Sequence, residues 1–298
     1  MNYTRSLFLV VILGIVSCQI EQKEKDEISG PVKISSGGVN INYSQCGDSD
    51  LSIILVHGWC INESYWENQV EELCGKYKVI TVDLPGHGKS GSNRTEWTIE
   101  NYGNDVVAVI DQLKLDRVIL VGHSMGGDII LEAALQRPSN VIALVGIDNF
   151  KDVGVEYSQE DQEDMTGFME MLKEDFANIA PAYAQGMLFH RTTDSLVVQR
   201  VMNDISKSNP EVAVSSLEYL FKYVDVERSK LSELKQKLYL INSDATPTNV
   251  EGLNATNVKY NIEYIHATGH YPMIEKPQEF NKILKSVLLK IEDEDDII

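Results

Sequence analysis

Long apolar runs, cysteine and positive charge are all scarce in this sequence. Its longest apolar stretch, Leu7 to Val16, is about half of the roughly 20 residues that a membrane-crossing helix needs, so a permanent span is not expected. Lys and Arg number 26 against 45 Asp and Glu, a net charge of −19. A chain this acidic repels phosphate, which excludes nucleic acid as an expected partner. The 4 cysteines include no Cys-x-x-Cys pair and no Cys/His cluster at ligand spacing, so neither a metal site nor a small disulfide-built scaffold is indicated. With only 8 prolines and 20 glycines in 298 residues, and 43% hydrophobic residues, the chain is neither collagen-like nor of low complexity and can bury a core. No internal repeat is visible. One large α/β domain, with or without an insertion, suits this length better than several modules.

The first 18 residues read as an address. Arg5, the apolar run Leu7 to Val16 and the small residues Ser17 and Cys18 have the three-part layout of a secretory signal peptide. The segment Ile15-Val16-Ser17-Cys18 also resembles the lipobox of bacterial lipoproteins. That resemblance implies a lipid on Cys18 and a place in the cell envelope, with membrane contact through that anchor only; simple secretion or a periplasmic location is the alternative. Residues 19–30 are polar and aperiodic and read as a flexible tether. Cys46, Cys60 and Cys74 remain; one disulfide among them is possible, and the spacing does not say which pair forms it.

From Gly37 onward, short β-branched apolar runs alternate with amphipathic stretches, the pattern of a mostly parallel sheet covered by helices. Strands are expected at Val39–Tyr43, Ser52–Val56, Lys78–Val82, Arg117–Val121, Val141–Ile147, Lys237–Asn242 and Asn261–Ile265. Helices are expected at Ser64–Leu73, Ile99–Leu113, Gly126–Gln136 and from Pro277 to about Lys290, with proline suited to a first helical position. The rhythm breaks in residues 151–231, which turn helical and patchily amphipathic and are too long for a plain loop. They read as a helical cap between two core segments, 31–150 and 232–290. The cap's methionines and aromatics either form its own core or roof a pocket. The acidic run Glu292 to Asp296, within residues 291–298, reads as a frayed tail.

The chemistry concentrates in Gly122-His123-Ser124-Met125-Gly126-Gly127, which follows the apolar strand Val118 to Val121 and precedes a helix. Gly-x-Ser-x-Gly alone is a weak signal. Between a buried strand and an apolar helix it describes a strained turn that lifts the serine hydroxyl above the strand ends, with flanking glycines letting neighbouring backbone approach. The helix N-terminus behind it favours developing negative charge.

Together with His57-Gly58-Trp59, Asp83-Leu84-Pro85-Gly86-His87-Gly88-Lys89-Ser90 and Gly269-His270, each just after a strand and in this order, the elbow makes the chain resemble an α/β-hydrolase from about Val39 to Leu289. The resemblance implies a mostly parallel twisted sheet with helices on both faces, and Ser124 as nucleophile. Imidazole is matched to taking a hydroxyl proton near neutral pH, and the late His270 stands where the family keeps its base. The resemblance also implies oxyanion donors at the main-chain N–H groups of Met125 and Trp59; the Trp59 indole either lines the pocket or simply packs under the cap. His57 would shape the oxyanion loop, and Asp83 would be structural.

The acid that orients His270 has two candidates. Asp148 directly follows the strand Val141–Ile147, a placement that some lipases and haloalkane dehalogenases resemble. Asp244 follows the strand Lys237–Asn242, where most of the family carries its acid, but the usual Gly-x-x-Asp is replaced by Ser243-Asp244-Ala245-Thr246, with Thr246 in the acid position. The expected activity is hydrolysis of a small carboxylic ester through an acyl-enzyme, with no cofactor. Lactone, thioester, amide and carbon–carbon bond cleavage, or a non-catalytic ligand-binding homologue, are the alternatives. An aspartate nucleophile is absent from the elbow, which argues against dehalogenase and epoxide hydrolase chemistry.

Overall fold

The computed structural model describes residues 33–296. The expected signal peptide, Cys18 and the tether lie outside the described residues. Among those described, no helix is long and apolar enough to cross a membrane.

Eight strands form one sheet: β1 (Lys33–Ser36), β2 (Val39–Cys46), β3 (Ser52–Val56), β4 (Lys78–Val82), β5 (Val118–His123), β6 (Val141–Ile147), β7 (Lys237–Ser243) and β8 (Tyr260–Ile265). Their order across the sheet is β1-β2-β4-β3-β5-β6-β7-β8. Pairing is antiparallel for β1 with β2 and β2 with β4, and parallel from β4 through β8. Each residue of β3 and β5 is buried, because helices cover both faces of a parallel sheet and leave no polar side to alternate with. This is the α/β-hydrolase fold. β1 was not expected, since Lys-Ile-Ser-Ser carries one apolar residue; it is held in register by its β2 partners.

The helices are α1 (Glu67–Leu73), α2 (Ile99–Gln112), α3 (Met125–Gln136), α4 (Gln159–Met187), α5 (Ser195–Lys207), α6 (Pro210–Glu233), α7 (Val250–Asn254), α8 (Pro272–Glu275) and α9 (Pro277–Asp295). α4, α5 and α6 occupy the stretch expected as a cap. Their starts are capped: Ser158 and Asp161 form a reciprocal capping box, Asp194 accepts from Leu196 N, and Asn209 precedes Pro210 at the first turn. α4 is broken at Asp175 (φ −147°, ψ 63°) and carries Pro181 further on.

One detail departs from expectation, and a second fills in what spacing left open. α9 runs on to Asp295 instead of ending near Lys290, because its acidic end finds cations on the core: Glu292 pairs with Lys76 at 2.7 Å, Glu294 with Lys237 at 2.7 Å and Asp295 with Arg117 at 2.6 Å. The acidic segment is therefore helix, not frayed tail, as far as Asp295. Second, Cys46 at the end of β2 is joined to Cys74 after α1, with their Cα atoms 5.6 Å apart, and Cys60 is buried and free. Closing a loop of that sequence separation is worth about 4 kcal/mol in the chain-entropy picture.

Candidate active site

The C-terminal ends of the parallel strands converge on one place, and the backbone there is strained. Among the described residues, seven that are not glycine have positive φ. Five of them follow strand ends: Cys60 (58°), Ser124 (52°), Asp148 (46°), Phe150 (52°) and Ala267 (53°). Such conformations cost of order 1–3 kcal/mol each and persist where surrounding structure over-determines them. Ser124, at φ 52° and ψ −128°, is the residue between β5 and α3. Its N–H donates to the Ile147 carbonyl at 3.0 Å, and its own carbonyl accepts from Gly127 N at 2.7 Å and from Asn149 Nδ2. The glycines on either side are required by contact: a Cβ on Gly122 would run into the Gly126 carbonyl, and one on Gly126 would lie 2.6 Å from the Val56 carbonyl oxygen.

His270 stands in the loop between β8 and α8, and that loop is clamped. Its N–H donates to the Leu188 carbonyl at 2.7 Å, at the end of α4. Its carbonyl accepts from His123 Nε2 at 2.7 Å. The Glu275 carboxylate receives the N–H groups on both sides, Gly269 at 2.8 Å and Tyr271 at 3.0 Å, together with the Thr193 hydroxyl at 2.5 Å. Glu275 was not anticipated from the sequence; its place five residues after His270, beside two backbone donors, is its only signal. His123 is wholly buried, and burial, followed by the nearness of His270, pushes its imidazole down to about 3. It is therefore neutral, with Nδ1 bare of any partner among the described residues.

His270 Nδ1 lies 2.6 Å from Asp148 Oδ2. A carboxylate on Nδ1 fixes the proton there and leaves Nε2 as the acceptor nitrogen. The other Asp148 oxygen accepts from Ser243 N at 2.9 Å and pairs with Lys151 Nζ at 2.6 Å. Burial pushes the Asp148 carboxyl up, but the His270 hydrogen bond and charge, and then Lys151, outweigh it and hold the group down at about 2. Asp244 is elsewhere. It is exposed, accepting from His266 Nδ1 at 2.7 Å and Ala267 N at 3.3 Å, and makes no hydrogen bond to His270. Of the two sequence candidates, the structure brings Asp148 to His270 and leaves Asp244 at the surface.

The loop after β3 lies directly against the elbow: a Cβ on Gly58 would be 3.0 Å from Ser124 Cβ. His57 shapes this loop by donating from Nδ1 to the Gly58 carbonyl at 2.8 Å and accepting the Leu84 N–H on Nε2 at 2.9 Å. Burial pushes its imidazole down to about 4, which keeps the acceptor nitrogen free of a proton. Among the described residues, neither the Trp59 nor the Met125 main-chain N–H donates to a protein acceptor. The Trp59 indole donates from Nε1 to the Ala213 carbonyl on α6 at 2.8 Å and meets Phe176 edge-on, with ring centroids 6.1 Å apart. It does pack under the cap, and its backbone N–H stays free. Asp83 accepts from Glu63 N at 2.9 Å and Lys89 N at 2.8 Å, a turn-holding arrangement.

The described residues contain no group of three or more His, Cys, Asp and Glu side chains placed to hold a metal ion. A cavity of about 710 Å³ opens within the cap between α4 and α6, lined in part by Tyr157, Met165, Met169 and Phe221. None of Ser124, His270 and Asp148 lines it. Other cap residues, Leu172, Phe176 and Ala180 among them, are packed as core.

Residues 52–277 match the family model described as alpha/beta hydrolase fold, and the chain belongs to that family. A relative among known proteins is the karrikin insensitive 2 receptor CA of Petunia hybrida, 24% identical over 249 residues that cover 79% of this chain and 91% of the receptor. Solved structures of the same fold include a thermophilic esterase from Thermogutta terrifontis, with a TM-score of 0.76, 21% identity and coverage of 88% of this chain and 99% of the esterase. Another is the enol-lactonase from Burkholderia xenovorans, with a TM-score of 0.72, 20% identity and coverage of 87% of this chain and all of the lactonase.

Proposed function

We propose that this protein is a serine hydrolase that cleaves a small carboxylic ester through an acyl-enzyme intermediate, with Ser124 as nucleophile, His270 as base and Asp148 as the acid that orients it. The observation that carries the reading is the 2.6 Å contact between His270 Nδ1 and Asp148, in a protein whose elbow serine is held on a strained bend at φ 52°. In the first half-reaction the Ser124 oxygen bonds to the ester carbonyl carbon while its proton passes to His270 Nε2. Collapse of the tetrahedral adduct breaks the bond to the alkoxy oxygen, which leaves with that proton. Water then repeats the sequence on the acyl-serine and releases the acid. The oxyanion of each adduct is held by the free N–H groups of Trp59 and Met125; one such donor is typically worth about 3 to 4 kcal/mol.

Lactone, thioester, amide and carbon–carbon bond substrates use the same parts, and the named activities of the esterase and lactonase neighbours support the oxygen-ester members of that set. The petunia relatives are named as receptors, which supports a ligand-sensing reading as the rival. Substrate turnover separates the two. The domain from about Pro31 onward should release p-nitrophenol from short acyl esters, and Ser124→Ala should lower kcat about a million-fold. A fluorophosphonate label mapped by mass spectrometry should fall on Ser124. Equal turnover by the variant would remove the assignment. The same proposal includes a lipid on Cys18 and residence in the cell envelope, which mass analysis of the mature N-terminus tests.

A further inference from the structure

Among the described residues, the Lys151 side chain is the one lysine or arginine in direct contact with the acid of the proposed triad. It is 11% exposed, against 7% for Asp148. All three of its donors have acceptors: Asp148 Oδ1 at 2.6 Å, the Ser243 carbonyl at 3.0 Å and Thr246 Oγ1 at 2.9 Å. The first lies at the end of β6 and the other two at and beyond the end of β7. One ammonium group thus bridges two strand ends and fixes the carboxylate between them. Asp148 is left with His270 on one oxygen, and with Lys151 and the Ser243 N–H on the other.

We propose that Lys151 is a positioning residue for His270 that acts through Asp148, both by locking the carboxylate rotamer and by sharing its negative charge between two cationic partners. The inference rests on the serine-hydrolase reading above. Its electrostatics are direct. A lone aspartate stabilises an imidazolium fully, whereas an aspartate already paired with an ammonium ion stabilises it less, and the two cations repel across it. The other charged or titratable groups facing this centre are His123 from β5, His57 from the loop after β3, Tyr271 and Glu275 from the base loop and α8, and the surface pair Asp244–His266 beyond β7 and β8. None of them changes in the variants below, so a shift in pH dependence is assigned to position 151.

The test is the acid limb of kcat/KM against pH for Lys151→Met, with Lys151→Gln as a second neutral variant should the first fold poorly and Lys151→Arg as the charge-keeping control. Both neutral variants should move the acid limb up by about one pH unit, which is about tenfold lower kcat/KM on the falling side, while the plateau falls by less than about tenfold. Lys151→Arg should return the limb to its wild-type position. A limb that stays put in the neutral variants while thermal stability drops would make Lys151 merely structural and overturn the proposal. A second readout is independent of turnover. In the Ser124→Ala background, the pH at which the proton resonance of His270 Nδ1 changes should rise when Lys151→Met is added, and no movement there overturns the proposal equally. If Ser124→Ala itself retains activity, the serine-hydrolase reading has failed instead, and the two failures are distinguishable.

Discussion

Asp148 and Asp128 are both buried, 8% and 5% exposed, and both belong to the surroundings of the elbow serine. Asn149 ties the second to that serine: its Nδ2 donates to the Ser124 carbonyl and to Asp128 Oδ2, the latter at 3.3 Å. Burial pushes each carboxyl up, yet their environments part company. His270 and then Lys151 more than cancel burial at Asp148 and hold it at about 2. Asp128, on the first turn of α3, faces Glu227 of cap helix α6. Burial raises both groups, and the negative charge of Asp128 raises Glu227 further. Two buried carboxyls facing one another cannot both carry charge cheaply, which favours the form in which one of them keeps its proton; Asp128 Oδ1 has no hydrogen-bond partner among the described residues. Desolvation therefore has the same sign at both places, and the sign of the neighbour decides the outcome. A carboxylate met by cations is available as a permanent anion; one met by another carboxylate becomes a proton-bearing joint between cap and core.

The comparison breaks most sharply at Asp148. Asp148→Asn keeps the shape but removes the charge that fixes the proton on His270 Nδ1, and kcat should fall about ten-thousand-fold, with KM little changed. Steady-state kinetics on the ester panel reads this directly, and a loss under tenfold would take the acid role away from Asp148. The proton-bearing joint is tested through stability. A carboxyl whose folded value lies above its unfolded one holds a proton in the native state that the unfolded chain releases. Stability is then fully present below the unfolded value of about 4.5 and is lost as pH rises through the folded value. Glu227→Gln keeps a donor toward Asp128 without needing that proton. It should raise the Tm by a few degrees at pH 8 and leave it nearly unchanged at pH 5. Equal shifts at both pH values would mean that Glu227 and Asp128 do not share a proton.

The sheet was legible because its central strands are built on apolar runs such as Ile53–Val56 and Val118–Val121, and the elbow because glycines, a serine and a following helix stand at one strand end. Lys33–Ser36 and the five-residue helix Val250–Asn254 carry no such pattern and exist through their neighbours. Ser124, His270, Trp59 and Met125 were marked by motif and order along the chain. The choice between Asp148 and Asp244 was not, because each ends a parallel strand and only the path of the loop carrying His270 decides which carboxylate it meets. Lys151 and Glu275 escaped for a related reason: each acts through backbone or side-chain atoms brought together by strands distant in sequence. Glu227 lies on a helix whose docking face could not be read before the cap was seated on α3, and the Cys46–Cys74 pairing needed the end of β2 laid beside α1.

Asp244 should give the smallest effect, and it completes the comparison from the other side. Its side chain is 44% exposed and that of its partner His266 72%, with the two 2.7 Å apart. The hydrogen bond from His266 lowers the Asp244 carboxyl below its usual value, but an exposed pair gains little because water screens both charges; such pairs contribute about 0–1 kcal/mol. Asp244→Asn should therefore leave kcat within about twofold of wild type and the Tm within about one degree. A thousand-fold loss of kcat would show that the loop carrying His270 swings from the end of β6 to the end of β7 during turnover, and would transfer the orienting role to Asp244. Paired with Asp148→Asn in the same buffer, this measurement asks whether a carboxylate serves by standing after a strand, which both do, or by being buried against His270, which only Asp148 is.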